Sequence, residues 1–378
     1  MRAGKKLAVG IVSAVILISA GDIVYWYRLE RRPAPAATEI PRLKWTVKAD
    51  QPGVSTAPIV GRDGTLYVAS AFAIQAFDPS SAMKWIYRLD QGDPVRDATL
   101  TQDPAGNLYF TTWKSVLSLS VSGVKRWQAG CGNAVLARDS EGSPFQNDAL
   151  YASCDDRLVA LDENDGREIW RLLDVQTQPP GEIPIPPLML HNGEFVFSRG
   201  QRMEAYDRAG NTLWTYPTDP VQTAMLTGLG PNGTIYAGGF FGELVALDAN
   251  GAVKWTFKRG RSIGFNENPV TASDGSLYAV AAQGALFALA SNGTFRWAFP
   301  LPPTTAIMGN TPPVLSREGV IYQALDDRVI ALSPERKVIW QIRLPGASNH
   351  RRFLALAPDG TLYAVTDDSF VSAIQTRN

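Results

Sequence analysis

The chain has only two thiols, Cys131 and Cys154, and only two imidazoles, His191 and His350. So few histidines, far apart, leave little room for a His-rich metal site. Two thiols can form one disulfide, act in redox chemistry, or remain free. Other stretches match catalytic or ligand-binding patterns by residue type. Gly228, Gly230 and Gly233 satisfy the G-x-G-x-x-G spacing of a dinucleotide loop, and Ser81–Lys84 and Ser122–Lys125 satisfy the S-x-x-K of an acyl-transfer nucleophile. Asp162, Asn164, Asp165 and Gly166 resemble the start of a calcium loop. Lys258, Arg259 and Arg261 form one basic cluster, and His350, Arg351 and Arg352 form another. Guanidinium clusters suit carboxylate or phosphate partners, although solvated surface charge looks the same in sequence.

Each motif needs a particular element to hold it, and the surrounding sequence supplies a different one. Eight tryptophans recur at 45, 85, 127, 170, 214, 255, 297 and 340, a spacing of 40 to 44 residues. The stretch PVTASDGSLYAVAAQGALFALASNGTFRWAF (269–299) is matched almost position for position at 58–87 and 313–342. A period near 42 with several short apolar runs per unit signals a propeller or a similar array. Asp-Gly and Asn-Gly punctuate the runs, which is hairpin chemistry. Four strands per unit are expected: PVTA, SLYAVA, ALFALA and FRWAF. No segment after residue 42 carries a sustained helical period.

That frame disposes of most motif matches. The dinucleotide-like glycines precede a strand, include Pro231 and open no helix. Both S-x-x-K matches fall in the turn between third and fourth strands. The calcium-like stretch has its glycine at the fifth position rather than the sixth and lacks the Glu at position 12, so it reads as a turn. The same frame places Cys131 after the Trp127 strand and Cys154 after the strand Ala149–Ser153, on one face of the array. A Cys131–Cys154 disulfide is therefore expected, which requires an oxidising compartment. Two unrelated free thiols are the alternative.

The ends fix the number of units. The last, LALAPDGTLYAVTDDSFVSAIQ, has three strands and no Trp strand, while an orphan Trp strand, Leu43–Val47, stands at the other end. Pairing the two closes a ring of eight blades over residues 42–378 and leaves no sheet edge open. An open solenoid would not explain the complementary ends. The eight Trp are then blade-packing residues, one per outer strand. Long connectors from each Trp strand to the next blade gather on one face. They carry Arg259, Arg261, His350, Arg351 and Arg352, the candidate partner-binding residues.

Upstream, residues 1–6 form a short tail, and 7–27 (LAVGIVSAVILISAGDIVYWY) an apolar run with Asp22 as its sole charge. Twenty-one residues at about 1.5 Å make roughly 31 Å, the thickness of a bilayer core. Tyr25, Trp26 and Tyr27 stand where an interfacial aromatic belt belongs. A transmembrane signal-anchor is expected, with a cleaved signal peptide ending near Ala20 as the alternative. Residues 28–41, rich in Pro and Ala, read as a linker. The formal net charge of zero offers no footprint for nucleic acid.

The pattern P-V-x-x-x-D-G-x-L-Y…L-x-A-L-D-x-x-G-x-x-x-W, clearest at VALDANGAVKWTF (245–257), resembles the PQQ-like (quinoprotein-like) repeats. The resemblance covers roughly 42–375. Such repeats occur in quinoprotein dehydrogenases and in BamB-type envelope propellers. The dehydrogenases imply an adjacent cysteine pair against the quinone, a Ca²⁺ held by Glu and Asn, and a longer chain. Here no cysteines are adjacent and the chain is shorter, so no cofactor, metal or catalytic residue is expected. BamB-type proteins imply a lipidated cysteine after a signal peptide, and this sequence has no cysteine there. The apolar run and the expected disulfide point to a monomeric, membrane-anchored, non-enzymatic propeller on the periplasmic or extracellular side, and the resemblance implies that it binds a protein partner in envelope-protein assembly. A PQQ-dependent enzyme and a small-ligand sensor are the alternatives.

Overall fold

A computed structural model describes residues 41–376, apart from 51–52, 55, 133, 139–148, 155–156, 174–185, 191, 200–201, 218–224, 240–242, 259–264, 266–267, 282–283, 302–310, 326 and 346–351. The apolar run 7–27 and the linker up to residue 40 lie outside the described residues. Among the described residues no helix is long and apolar enough to cross a membrane.

The described chain folds into eight four-stranded antiparallel sheets. Blades 1 to 7 comprise residues 59–88, 95–130, 135–173, 188–217, 225–258, 270–300 and 314–343, and blade 8 comprises 352–375 with 42–48. Inner strands of neighbouring blades touch around the ring, including those of blades 8 and 1. In blade 6 the expected runs become Val270–Thr271, Leu277–Ala281, Ala285–Leu289 and Phe295–Pro300, from the channel outward. The second and third strands are buried at every position because a blade lies against each face. That is why they read as unbroken apolar runs. The outer strand of blade 5, Val253–Lys258, alternates instead, with one face on its neighbour and the other in water.

The core is correspondingly divided into eight clusters, each spanning two blades. One joins Tyr236, Leu244 and Ala246 of blade 5 to Leu277, Phe287 and Leu289 of blade 6. The tryptophans fasten these joints. Trp45, Trp85, Trp127, Trp170, Trp214, Trp255 and Trp297 each donate their indole N–H to a carbonyl in the next blade's third-to-fourth turn, at 2.7–2.9 Å. The turn must come close to the ring. A Cβ on Gly123, at φ +80°, would stand 2.6 Å from the Trp85 indole. Glycine is required there by both conformation and space.

The N-terminal strand closes the ring as expected. Trp45 faces Ala373 and Thr46 faces Ser372 in antiparallel register. All eight outer strands shift register beside their Trp, the N-terminal one included. The extra residue is often a cation that reaches back to its blade's first turn. Lys44 Nζ donates to Thr361 Oγ1, Lys84 to Thr65 and Lys254 to Thr234, at 2.7–2.8 Å.

Candidate functional site

The two faces of the ring differ in chemistry. First-to-second and third-to-fourth turns share one face, mostly as tight Asp/Asn–Gly turns. Gly230–Gly233 and Asp162–Gly166 are two of these, each closed by a backbone bond from its last glycine. The dinucleotide-like and calcium-like spacings are thus turn geometry. The opposite face holds the second-to-third turns and the blade-to-blade connectors.

Most of the expected partner-binding residues, Arg259, Arg261, His350 and Arg351, lie outside the described residues. Arg352 is described, and it is not a surface residue. It begins the inner strand Arg352–Leu356 of blade 8, with 2 % exposure. Its guanidinium donates to the Pro345 carbonyl at 3.1 Å, and its own carbonyl accepts from Thr311 Oγ1 at 2.7 Å. The strand register, invisible in a run of three basic residues, turns this one inward. Lys258, in the other cluster, pairs with Glu243 across its own hairpin at 3.2 Å.

The connector face of blades 2 and 3 carries the clearest candidate. Trp113, outside the 42-residue period, sits in the second-to-third turn of blade 2 with 52 % of its surface exposed. The Arg96 guanidinium, from the start of that blade's inner strand, lies over its ring 4.7 Å from the centroid. Such stacking is a cation–π arrangement. The turn is held firmly. Asp93 accepts from Thr112 Oγ1 and from Lys114 N–H, and Trp113 N–H donates to Pro94 O. Lys114 O in turn accepts from Cys131 N–H at 3.0 Å. Cys131 is disulfide-bonded to Cys154 in the second-to-third turn of blade 3, the pairing that the shared face allows. The remaining large exposed apolar side chains, such as Leu43, Met83, Ile169, Leu213 and Val253, are spaced singly along outer strands. Single exposed apolar residues are ordinary surface.

On the turn face the same pair of blades is tied through Glu163 of blade 3, whose carboxylate is paired inside its own blade. Arg138 Nε meets Glu163 Oε1 at 2.7 Å, with 12 % and 6 % of the side chains exposed. The Glu163 carbonyl accepts from Trp127 Nε1, Arg126 and the Tyr109 hydroxyl. Burial, followed by the Glu163 charge, pushes the Tyr109 hydroxyl well above the usual phenol range, so it stays protonated as a donor. It also donates to Asp103 at 2.9 Å. Sequence reasoning missed Trp113, yet it had a signal: it breaks the Trp period. Arg138 and Glu163 had none.

Cys131 and Cys154 are bonded across two blades rather than adjacent, so these thiols do not fit the cysteine pair of a quinone site. Among the described residues no cluster of three or more His, Cys, Asp or Glu could hold a metal.

These features define an eight-bladed propeller of PQQ-like repeats. The chain belongs to the family described as outer membrane protein assembly factor BamB, whose model matches residues 112–255 and 199–378. Among solved structures it resembles BamB from Moraxella catarrhalis, at 17 % identity and a TM-score of 0.67, covering 89 % of this chain and 100 % of that one. The C-terminal WD40 domain of Sif2 matches at 9 % and 0.71, covering 91 % and 100 %. Virginiamycin B lyase from Staphylococcus aureus matches at 12 % and 0.58, covering 89 % and 100 %. At such identities these likenesses speak for the fold alone. No curated protein matches the chain in sequence.

Proposed function

We propose that this propeller is a non-enzymatic scaffold that binds a protein partner during assembly of outer-membrane or other envelope proteins. In this reading residues 7–27 anchor it to a membrane and the ring lies outside the cytoplasm. Family membership supports envelope assembly as the setting, and a disulfide suits an oxidising compartment. The observation that carries partner binding is Trp113. A half-exposed indole on a pinned turn, backed by an arginine, is the composition of an interface anchor. A rigid turn also loses little entropy on binding.

The test is in-cell cross-linking of the full chain, followed by detergent solubilisation and identification of partners by mass spectrometry. Trp113→Ala should lose the wild-type partner at least tenfold while leaving the thermal midpoint nearly unchanged. Recovery of the same partner in undiminished yield would reject Trp113 as the anchor. Substrate-dependent dye reduction by the protein supplied with PQQ and Ca²⁺ would overturn the non-enzymatic reading.

A further inference from the structure

Blade 8 differs from the other seven in one covalent respect. Its third and fourth strands come from opposite ends of the chain, so no turn joins them. Elsewhere that turn supplies the carbonyl for the preceding blade's tryptophan. Trp85 faces Ala76, and Pro79, three residues past Ala76, accepts from Trp45. Trp45 faces Ala373, which places Thr376 at the corresponding position. Yet Trp340, which packs on Tyr322 with ring centroids 5.6 Å apart, finds no indole acceptor among the described residues. Beside this joint a cleft of about 490 Å³ opens on the turn face between blades 7 and 8. That size lies within the roughly 300–1,000 Å³ of ordinary binding pockets.

The lining has a definite character. Leu315, Leu356 and Pro358 give apolar surface, Tyr322 gives an aromatic wall, and Arg317 and Asp359 mark the rim. Thr376, the residue after the last strand, also lines it. Arg42, the first residue of the N-terminal strand, pairs with Gln375. Chain upstream of residue 42 therefore enters the propeller at the lip of this cleft. That upstream chain reads Pro33-Ala34-Pro35-Ala36-Ala37-Thr38-Glu39-Ile40-Pro41. Proline-rich segments dock extended on aromatic-lined grooves at small entropic cost. Two residues of extended chain span about 7 Å, enough to bring Ile40 over the apolar floor and Glu39 to the Arg317 rim.

We propose that the cleft between blades 7 and 8 is the docking site for this chain's own linker, residues 33–41. Docking stands in for the missing turn and sets the orientation of the ring. The proposal rests on the anchor reading only for its consequence. With 7–27 in a membrane, an undocked linker of residues 28–41 reaches at most about 50 Å. A docked one shortens that tether, turns the turn face toward the bilayer and presents Trp113 on the far side.

The experiment uses the full chain in detergent with Ile40→p-benzoylphenylalanine, irradiated and mapped by mass spectrometry. The expected adducts lie within the same chain, at 314–318, Tyr322 or 356–360. Arg317→Glu, a change on an exposed turn, should lower their yield at least threefold, and Glu39→Arg added to it should restore the yield. Adducts elsewhere on the chain, on a second copy or on another protein overturn the proposal, as does irradiation that yields no cleft adduct. Membrane retention after alkaline carbonate extraction is measured separately. Cleft adducts on a chain that washes off would reject the anchor and keep the docking. A chain that stays in the membrane without cleft adducts would reject the docking and keep the anchor.

Discussion

The joint between blades 2 and 3 and the joint between blades 7 and 8 are built from the same repeat, yet they are fastened very differently. At the first, Trp127 of blade 2 donates to the Glu163 carbonyl of blade 3, the Glu163 carboxylate is held by a buried ion pair to Arg138 of its own blade, and a disulfide spans the opposite face. At the second, the apolar cluster of Tyr322, Trp340, Leu354 and Leu362 remains. There the indole has no acceptor among the described residues, and a cleft lies beside it. Equal repeats therefore do not make equal joints. What the repeat guarantees is the apolar contact, and the polar and covalent fastenings are added locally. The heavily fastened joint lies under Trp113, where a partner would pull. The open one lies where the two chain ends meet.

The largest effect is expected from removing the strand that closes the ring. Deleting residues 42–48 exposes the edge of Phe370–Gln375 and removes Trp45 and Val47 from the cluster they pack on. Stability should fall by several kcal/mol, with aggregation through the open edge. An unchanged thermal midpoint would mean that the ring does not depend on this strand.

Next comes the ion pair. Glu163→Gln leaves Arg138 buried against a neutral partner, which should cost roughly 3–5 kcal/mol in chemical denaturation. Replacing both, Arg138→Met with Glu163→Leu, should recover much of that loss. A double mutant no better than the single would show that the turn needs the carboxylate for some other purpose.

Replacing both cysteines by alanine removes a cross-link over 23 positions, worth about 3 kcal/mol in the chain-entropy model. Alkylation of protein isolated from the envelope should find no free thiol. Two alkylated cysteines would argue against an oxidising location.

The finest probe compares one substitution at the two joints. Trp127→Phe and Trp340→Phe both shrink a buried ring, at 7 % and 1 % exposure. Only the first also breaks an indole hydrogen bond, so it should be worse by about 1 kcal/mol. Equal losses would imply that Trp340 has an acceptor after all, which the docked linker could supply.

Much of this was legible in the sequence, for a physical reason. The tryptophan period, the strand count, the eight blades, the closing strand and the cysteine pairing all follow from local pattern and from which chain end lacks what the other has. Turn chemistry and apolar alternation act over a few residues, so they are written in a few residues. The tertiary structure decided whatever depends on a neighbouring blade. Arg352 was expected on a loop surface, but the register of its strand buries it against Pro345. Arg138 and Glu163 are unremarkable in sequence and meet only because blade 3 folds the end of its inner strand close to its own third-to-fourth turn. Trp113 breaks the tryptophan period but was missed, and its exposure and its arginine came from a turn placed beside the start of the inner strand of its own blade. The cleft belongs to no segment at all, because it forms where a covalent turn is replaced by two separate chain ends.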